Sequence, residues 1–303
     1  MSQTTGPSRF QGVVLGGVRH GTGWLPDPPD HRDKTLDDAG IGELLERTGA
    51  MRYTIDSIPA QVDLRAWCAA VEDQGQIGSC TANAGVGLLE YYQRRAFGEY
   101  LDGSRLFLYK ATRNLLGTTG DTGAWLRTAM GAMRLFGVCP ERYWPYDEDG
   151  FDTEPPAFCY SFAKEYAALT YYRLDPAGIS EDRVLENVKT QLAANLPSMF
   201  GFTVYASIRQ IGDTGAIPMP SPRENVIGGH AVMAVGYDDA KQVSHPVTHE
   251  TTTGALLIRN SWGAGWGEDG YGWLPYAYLV EHLAEDFWVM TDAEWVQTGQ
   301  FDQ

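Results

Sequence analysis

Between Thr81 and Phe97 the apolar residues Leu88, Tyr91, Tyr92 and Ala96 recur at helical intervals, and Gly98 follows where a helix would need a left-handed cap. The same period predicts helices over Ser104 to Leu116 and Ala124 to Phe136, the second stopped by Gly137 and Pro140. After a transition carrying Glu154-Pro155-Pro156, one more helix is expected near Ser180 to Asn195. The pattern then shortens into strand-like apolar runs at Ser198 to Tyr205, Ala231 to Tyr237, Ala255 to Arg259 and Gly270 to Leu274. Up to about Pro59 the chain is different again. It is turn-forming, above all from Gly23-Trp24-Leu25-Pro26 to Asp33, and only Ile41 to Arg47 reads as helix. Helices first and strands second imply an α+β fold with two lobes and an active site between them. The expected organisation is an N-terminal leader or strap over residues 1–59 and a catalytic domain over 60–303. Its helical lobe would span about 60–150 and its β lobe about 160–290.

Composition narrows the function classes without naming one. The chain has 303 residues, 43% of them apolar, enough to bury one large or two moderate cores. A formal charge of −16 argues against non-specific nucleic-acid binding. No apolar run approaches the ~18 residues of a membrane span, and Met1 to Phe10 lacks the basic and apolar regions of a secretory signal. The expectation is a protein of the cytoplasm, or one exported without a readable signal peptide, with neither nucleic acid nor membrane as partner. No C-x-x-C, H-E-x-x-H or P-loop is present, so no cofactor and no metal are expected. The acidic run Asp147 to Asp152 lacks EF-hand spacing and reads as a turn. Gly265 to Gly270 fits a G-x-G-x-x-G pattern, but an aromatic strand follows where a dinucleotide site needs a helix.

The candidate chemistry begins at Cys80, placed in the first turn of a predicted helix with Ser79 as its candidate N-cap. The positive end of a helix dipole there favours thiolate over thiol. Three blocks, Gln74-Gly75-Gln76-Ile77-Gly78-Ser79-Cys80, Gly229-His230-Ala231-Val232 and Asn260-Ser261-Trp262-Gly263-Ala264-Gly265-Trp266-Gly267, order a Gln, a Cys, a His and an Asn along the chain. In that order and with those neighbours the sequence resembles the papain-like cysteine peptidases, over about Val62 to Val289. The leader, the Gln-Ile-Gly-Ser-Cys-Thr-Ala-Asn form and Gly137-Val138-Cys139-Pro140-Glu141 look most like the bacterial branch that includes xylellain.

The resemblance implies a helical lobe carrying the Cys facing a β-barrel lobe carrying the His and Asn. It also implies roles that the chemistry supports. Cys80 would be the nucleophile, His230 its ion-pair partner and proton donor, and Asn260 the group orienting the imidazole. Gln74 and the Cys80 N–H would meet the oxyanion. Trp262 would cover the His–Asn contact. Residue matching places Gly123, Trp125, Ala231 and Gly229 in substrate binding. The implied partner is a peptide or protein substrate, the implied reaction hydrolysis through a Cys80 acyl-enzyme. An acyltransferase or ligase resolving the same thioester with an amine stays open at this point. A family disulfide beginning three residues before the nucleophile is absent, because Ile77 stands there and Asp121 in the usual partner region. With Cys80 reserved, Cys68, Cys139 and Cys159 can form at most one bridge. The long gap between His230 and Asn260 is expected to be a hairpin loop over Asp239 to Thr253, with His245 and His249 solvated. The leader is too poor in helix for the long helical pro-region of eukaryotic members. Its stretch Gln11 to Val18 is one candidate to run across the cleft against Gly123; a strap packed away from Cys80 is the other.

Overall fold

The computed structural model describes residues 12–47, 53–164, 170–211, 214–292, 295 and 300. Its central element is α2 (Cys80–Phe97), in which every residue except Arg94 and Phe97 is buried. A helix apolar or small on all sides has no solvent face, and α2 is accordingly enclosed by α3 (Arg105–Leu116), α4 (Leu126–Phe136) and the sheet. Gly87 makes the sheet side possible: a Cβ there would stand 2.9 Å from Met233 Sδ and collide with the Arg259 guanidinium. Gly98 (φ 77°) and Gly117 (φ 66°) end α2 and α3 in left-handed caps, and Ser104 caps α3 by accepting from the Phe107 N–H. Ser79 precedes α2 but does not cap it, because its hydroxyl is engaged with Tyr146 and Asn83 instead.

The second half is one antiparallel sheet, in the spatial order β10 (Tyr271–Pro275), β9 (Thr251–Arg259), β8 (Val226–Ser244), β7 (Ser198–Tyr205), β11 (Ala284–Thr291), β6 (Thr170–Arg173), with β4 (Gln61–Asp63) also on β8. Helix α6 (Glu181–Ala193) starts at Ser180, which caps the Arg183 N–H. The fold class is α+β, helices first and strands second, in the order the resemblance implied. Among the described residues no pairing joins the two end strands, so the expected barrel is an open seven-stranded sheet. The chemistry-bearing ends are set by register: Met233 faces Arg259 across β8 and β9, which brings His230 and Asn260 to the same end of the sheet.

Two expectations fail here. Most of Asp239 to Thr253 is ladder, not loop, with Gln242, Val243 and Ser244 opposite Thr253, Thr252 and Thr251. A run of β-branched threonines suits a strand whose one face is wet, so its polarity concealed it. His245 is accordingly buried, with Nε2 3.0 Å from Ser221 Oγ and Nδ1 accepting the N–H groups of Val247 and Thr248, whereas His249 is exposed.

The leader does not stand apart. Helix α1 (Ala39–Arg47) buries Ile41 and Leu45, the Arg173 N–H donates to Lys34 O at 2.8 Å, and Arg127 holds Asp33 at 2.6 Å. The stretch that was one candidate to cross the cleft forms a hairpin, β1 (Val13–Leu15) with β2 (Val18–His20); Gln11 lies outside the described residues. Among the described residues no helix is long and apolar enough to cross a membrane.

Candidate active site

His230 lies on β8 opposite Phe202, and Asn260 is the first residue after β9. Their side chains meet at 2.7 Å, His230 Nε2 to Asn260 Oδ1, and the same oxygen accepts the Ser261 N–H at 2.8 Å. With its carbonyl oxygen so engaged, Asn260 accepts the imidazole N–H and fixes the ring's tautomer and angle. Trp262 stacks on the imidazole at 4.5 Å and Phe202 meets it edge-on at 5.8 Å, so water is kept from the His–Asn contact. The other ring nitrogen, Nδ1, is buried and has no hydrogen-bond partner.

Cys80 opens α2 and is fully buried, with backbone groups of Ala231, Gly23 and Thr81 against its sulfur. Burial pushes the thiol up to about 12, and those backbone contacts offset it only in part. Burial likewise pushes His230 down to about 4, against the Asn260 bond that favours its charged form. Both shifts have one cause, the exclusion of water. Each favours the neutral form, thiol at Cys80 and imidazole at His230.

Gln74 is also fully buried, and its orientation is set by Ser261, whose hydroxyl donates to Oε1 at 2.6 Å. Nε2 therefore points the other way, donating to Ile77 O at 2.9 Å and Gly21 O at 3.2 Å. Trp262 Nε1 donates to the same Gly21 carbonyl at 3.3 Å. Where the resemblance would place a disulfide, the Asp121 carboxylate accepts the Gly78 N–H at 2.8 Å and the Tyr109 hydroxyl at 2.5 Å, tying the same two segments by hydrogen bonds. All four cysteines are free and buried.

The segment against the thiol is Gly21 to Leu25, downstream of the Gln11 to Val18 stretch that was one of two alternatives for the leader. The Gly21 N–H donates to Gly75 O and the Ala124 N–H to Gly23 O, both at 2.8 Å. Strand β3 (Trp24–Leu25) then runs parallel to β5 (Ala124–Trp125). Gly123 (φ 67°) permits this approach, since a Cβ would collide with Gly23 O; at Gly229 it would stand 2.6 Å from Trp24 O. Three of the four residues expected to bind substrate border this segment, Gly123 at Gly23, Trp125 by its pairing with Leu25 and Gly229 under Trp24, and the fourth, Ala231, lies at the Cys80 sulfur. Trp24 was read only as part of a turn-forming leader and Asp286 not at all, because neither lies in a motif block; their side chains hydrogen-bond to each other. The Asp147 to Asp152 run is a turn, with Asp152 paired to Arg113 and Lys110, and no group of residues among those described could hold a metal ion.

The signature described as papain family cysteine protease matches residues 58–279. The chain belongs to this family. An uncharacterized peptidase C1-like protein of Acanthamoeba polyphaga mimivirus is 33% identical over 297 residues, 92% of this chain and 89% of that protein. Cathepsin K of Gallus gallus is 32% identical over 223 residues, 70% of this chain and 58% of its own length. Among solved structures, xylellain, a cysteine protease from Xylella fastidiosa, matches with a TM-score of 0.72 at 32% identity, covering 90% of this chain and 96% of that one. Membership in the papain family makes the chain a cysteine-type peptidase.

Proposed function

We propose that this papain-family enzyme cleaves peptide bonds through an acyl-enzyme on Cys80, and that residues 21–25 of its own leader hold the site closed between turnovers. The observation that carries the reading is the conjunction of two facts. The backbone of Ala231 lies on the Cys80 sulfur, and the residue before it, His230, has one ring nitrogen bound to Asn260 and the other buried without a partner.

In the closed state the Gly21 carbonyl occupies the Gln74 amide. When the leader swings out, water or substrate reaches the thiol and the imidazole, and the penalty on their charged forms relaxes. The Cys80 proton then passes to His230 Nδ1. The thiolate attacks the scissile carbonyl, forming a C–S bond while the carbonyl π pair moves onto oxygen. Gln74 Nε2, freed from Gly21, and the Cys80 N–H receive that oxyanion, worth roughly 3 kcal/mol per donor. Collapse breaks the C–N bond, and His230 gives its proton to the leaving amine. Water, deprotonated by the now neutral His230, then attacks the thioester, releasing the acid and regenerating the thiol. Asn260 remains bound to Nε2 throughout and keeps Nδ1 facing the reaction.

The test is labelling of the full chain with an epoxide that alkylates papain-like thiols, followed by peptide mapping. One label on Cys80, lost in Cys80→Ala, is expected. Labelling at Cys68, Cys139 or Cys159 that persists unchanged in Cys80→Ala would overturn the assignment.

A further inference from the structure

Two segments of the helical lobe border Gly23 of the leader, and a chain of hydrogen bonds joins them. One is the turn from Gln74 to Cys80, which carries both oxyanion donors. A Cβ at Gly78 in this turn would stand 3.3 Å from Gly23 Cα. The other is Gly123 with β5, where the Ala124 N–H donates to Gly23 O at 2.8 Å.

The chain of bonds runs through Tyr109 on α3 and Asp121. The Gly123 N–H donates to the Tyr109 hydroxyl at 3.1 Å, that hydroxyl donates to Asp121 Oδ1 at 2.5 Å, and the Gly78 N–H donates to the same carboxylate oxygen at 2.8 Å. Amide groups only donate and a carboxylate only accepts, so the phenol has one arrangement that satisfies both neighbours. Burial, followed by the Asp121 charge, pushes the Tyr109 hydroxyl well above its ordinary value, so it stays a donor. The ring itself is fixed: Tyr109 is fully buried, with the buried Arg113 guanidinium 4.1 Å from its centroid. Arg113 also donates to Gly120 O at 2.6 Å, steadying the residue before Asp121. Asp121, by contrast, is exposed. It fills no space in the core, and its Oδ1 is spent on donors that lead to the two segments at Gly23.

Resting on the thiol-peptidase reading above, we propose that Tyr109 and Asp121 are positioning residues, which set the distance between the oxyanion donors of the Gln74 to Cys80 turn and the substrate backbone held at Ala124. When the leader leaves, a substrate strand takes the place of Gly23 at the Ala124 N–H. Its scissile carbonyl must at the same time fall between the Cys80 N–H and Gln74 Nε2. These two demands are met by separate segments, and the relay through Tyr109 and Asp121 links them directly. Without it the turn and the β5 edge shift independently. A misplacement of about 1 Å costs about a hundredfold in rate, and a partial loosening about tenfold. The loss falls on kcat, because the oxyanion exists only in the transition state. Leader and substrate compete for one place, so the leader's hold on the cleft enters KM and drops out of kcat at saturation.

The experiment measures kcat and KM of the full chain on a fluorogenic peptide amide, with urea midpoints alongside, for Tyr109→Phe, Asp121→Ala, Asp121→Asn and the double variant Tyr109→Phe/Asp121→Ala. The first two should each lower kcat about tenfold with far smaller changes in KM. The double variant should be no slower than the slower single, within about twofold, because both break one relay. Asp121→Asn keeps a carbonyl oxygen that accepts both donors, and should recover kcat to within about threefold of the unaltered chain. Should Tyr109→Phe fail to fold, the two substitutions at the exposed Asp121 decide alone. An Asp121→Ala protein whose kcat is unchanged, whatever its urea midpoint, would overturn the proposal. So would an Asp121→Asn protein as slow as Asp121→Ala, or losses that multiply in the double variant. An unaltered chain that hydrolyses no peptide would instead sink the underlying peptidase reading.

Discussion

Replacing Trp24 by alanine in the full chain should open the catalytic cleft without unfolding the protein. In the closed state the indole is 4% exposed and bonded to Asp286; once the leader swings out it stands in water, so its burial counts toward closure and not toward the open form. Truncating a buried tryptophan to alanine costs about 3–5 kcal/mol. At about 1.4 kcal/mol per tenfold, even the lower figure raises the open population about a hundredfold, up to the limit where the leader is open most of the time. The rest of the leader stays anchored, through Asp33 on Arg127, Lys34 on the Arg173 N–H, and the buried Ile41 and Leu45 of α1. The assay is the pseudo-first-order rate of Cys80 alkylation by a small epoxide, read by mass. It carries its own control: Cys139 and Cys159 are fully buried elsewhere and should remain unmodified. A Cys80 rate within twofold of the unaltered chain would refute the reasoning. So would Cys139 and Cys159 reacting in step with Cys80, which would mean global unfolding.

Gln74→Ala should lower kcat on peptide substrates about a hundredfold with little change in KM, because its amide meets charge that exists only in the transition state; a raised KM at constant kcat would make Gln74 a binding residue. The Asp27 carboxyl is raised in the folded protein by burial and by Asp286, so the stability it contributes is fully present below its unfolded value near ~4 and is lost as pH rises through about 7. Asp27→Asn keeps an acceptor for the Trp288 indole and the Arg127 N–H, and should flatten the fall in urea midpoint between pH 5 and pH 8. Equal pH slopes in the two proteins would refute that account.

The chemistry of this chain was legible in its sequence where the residues needed fixed neighbours. A thiol at a helix start needs the turn that precedes Cys80, and an imidazole held by an amide needs a strand end beside a Gly-rich turn. These local requirements write the blocks around Gln74, Cys80, His230 and Asn260. Helix limits were legible too, because Gly98, Gly117 and Gly137 answer a backbone demand that few other residues meet. Sheet limits were less so: Thr251 to Thr253 and Asp239 to Ser244 read as loop, since a polar strand is recognised by the partner it pairs with, and that partner is remote in sequence. The open sheet, the burial of His245 and the place of the leader belong to the same class. Nothing near Gly23 says that its carbonyl bonds the Ala124 N–H, nor near Trp24 that its indole ends on Asp286, 262 residues away. Local sequence fixes which groups can do chemistry. Only close packing between distant segments decides whether water reaches them, and in this protein that burial pushes both Cys80 and His230 toward their neutral forms.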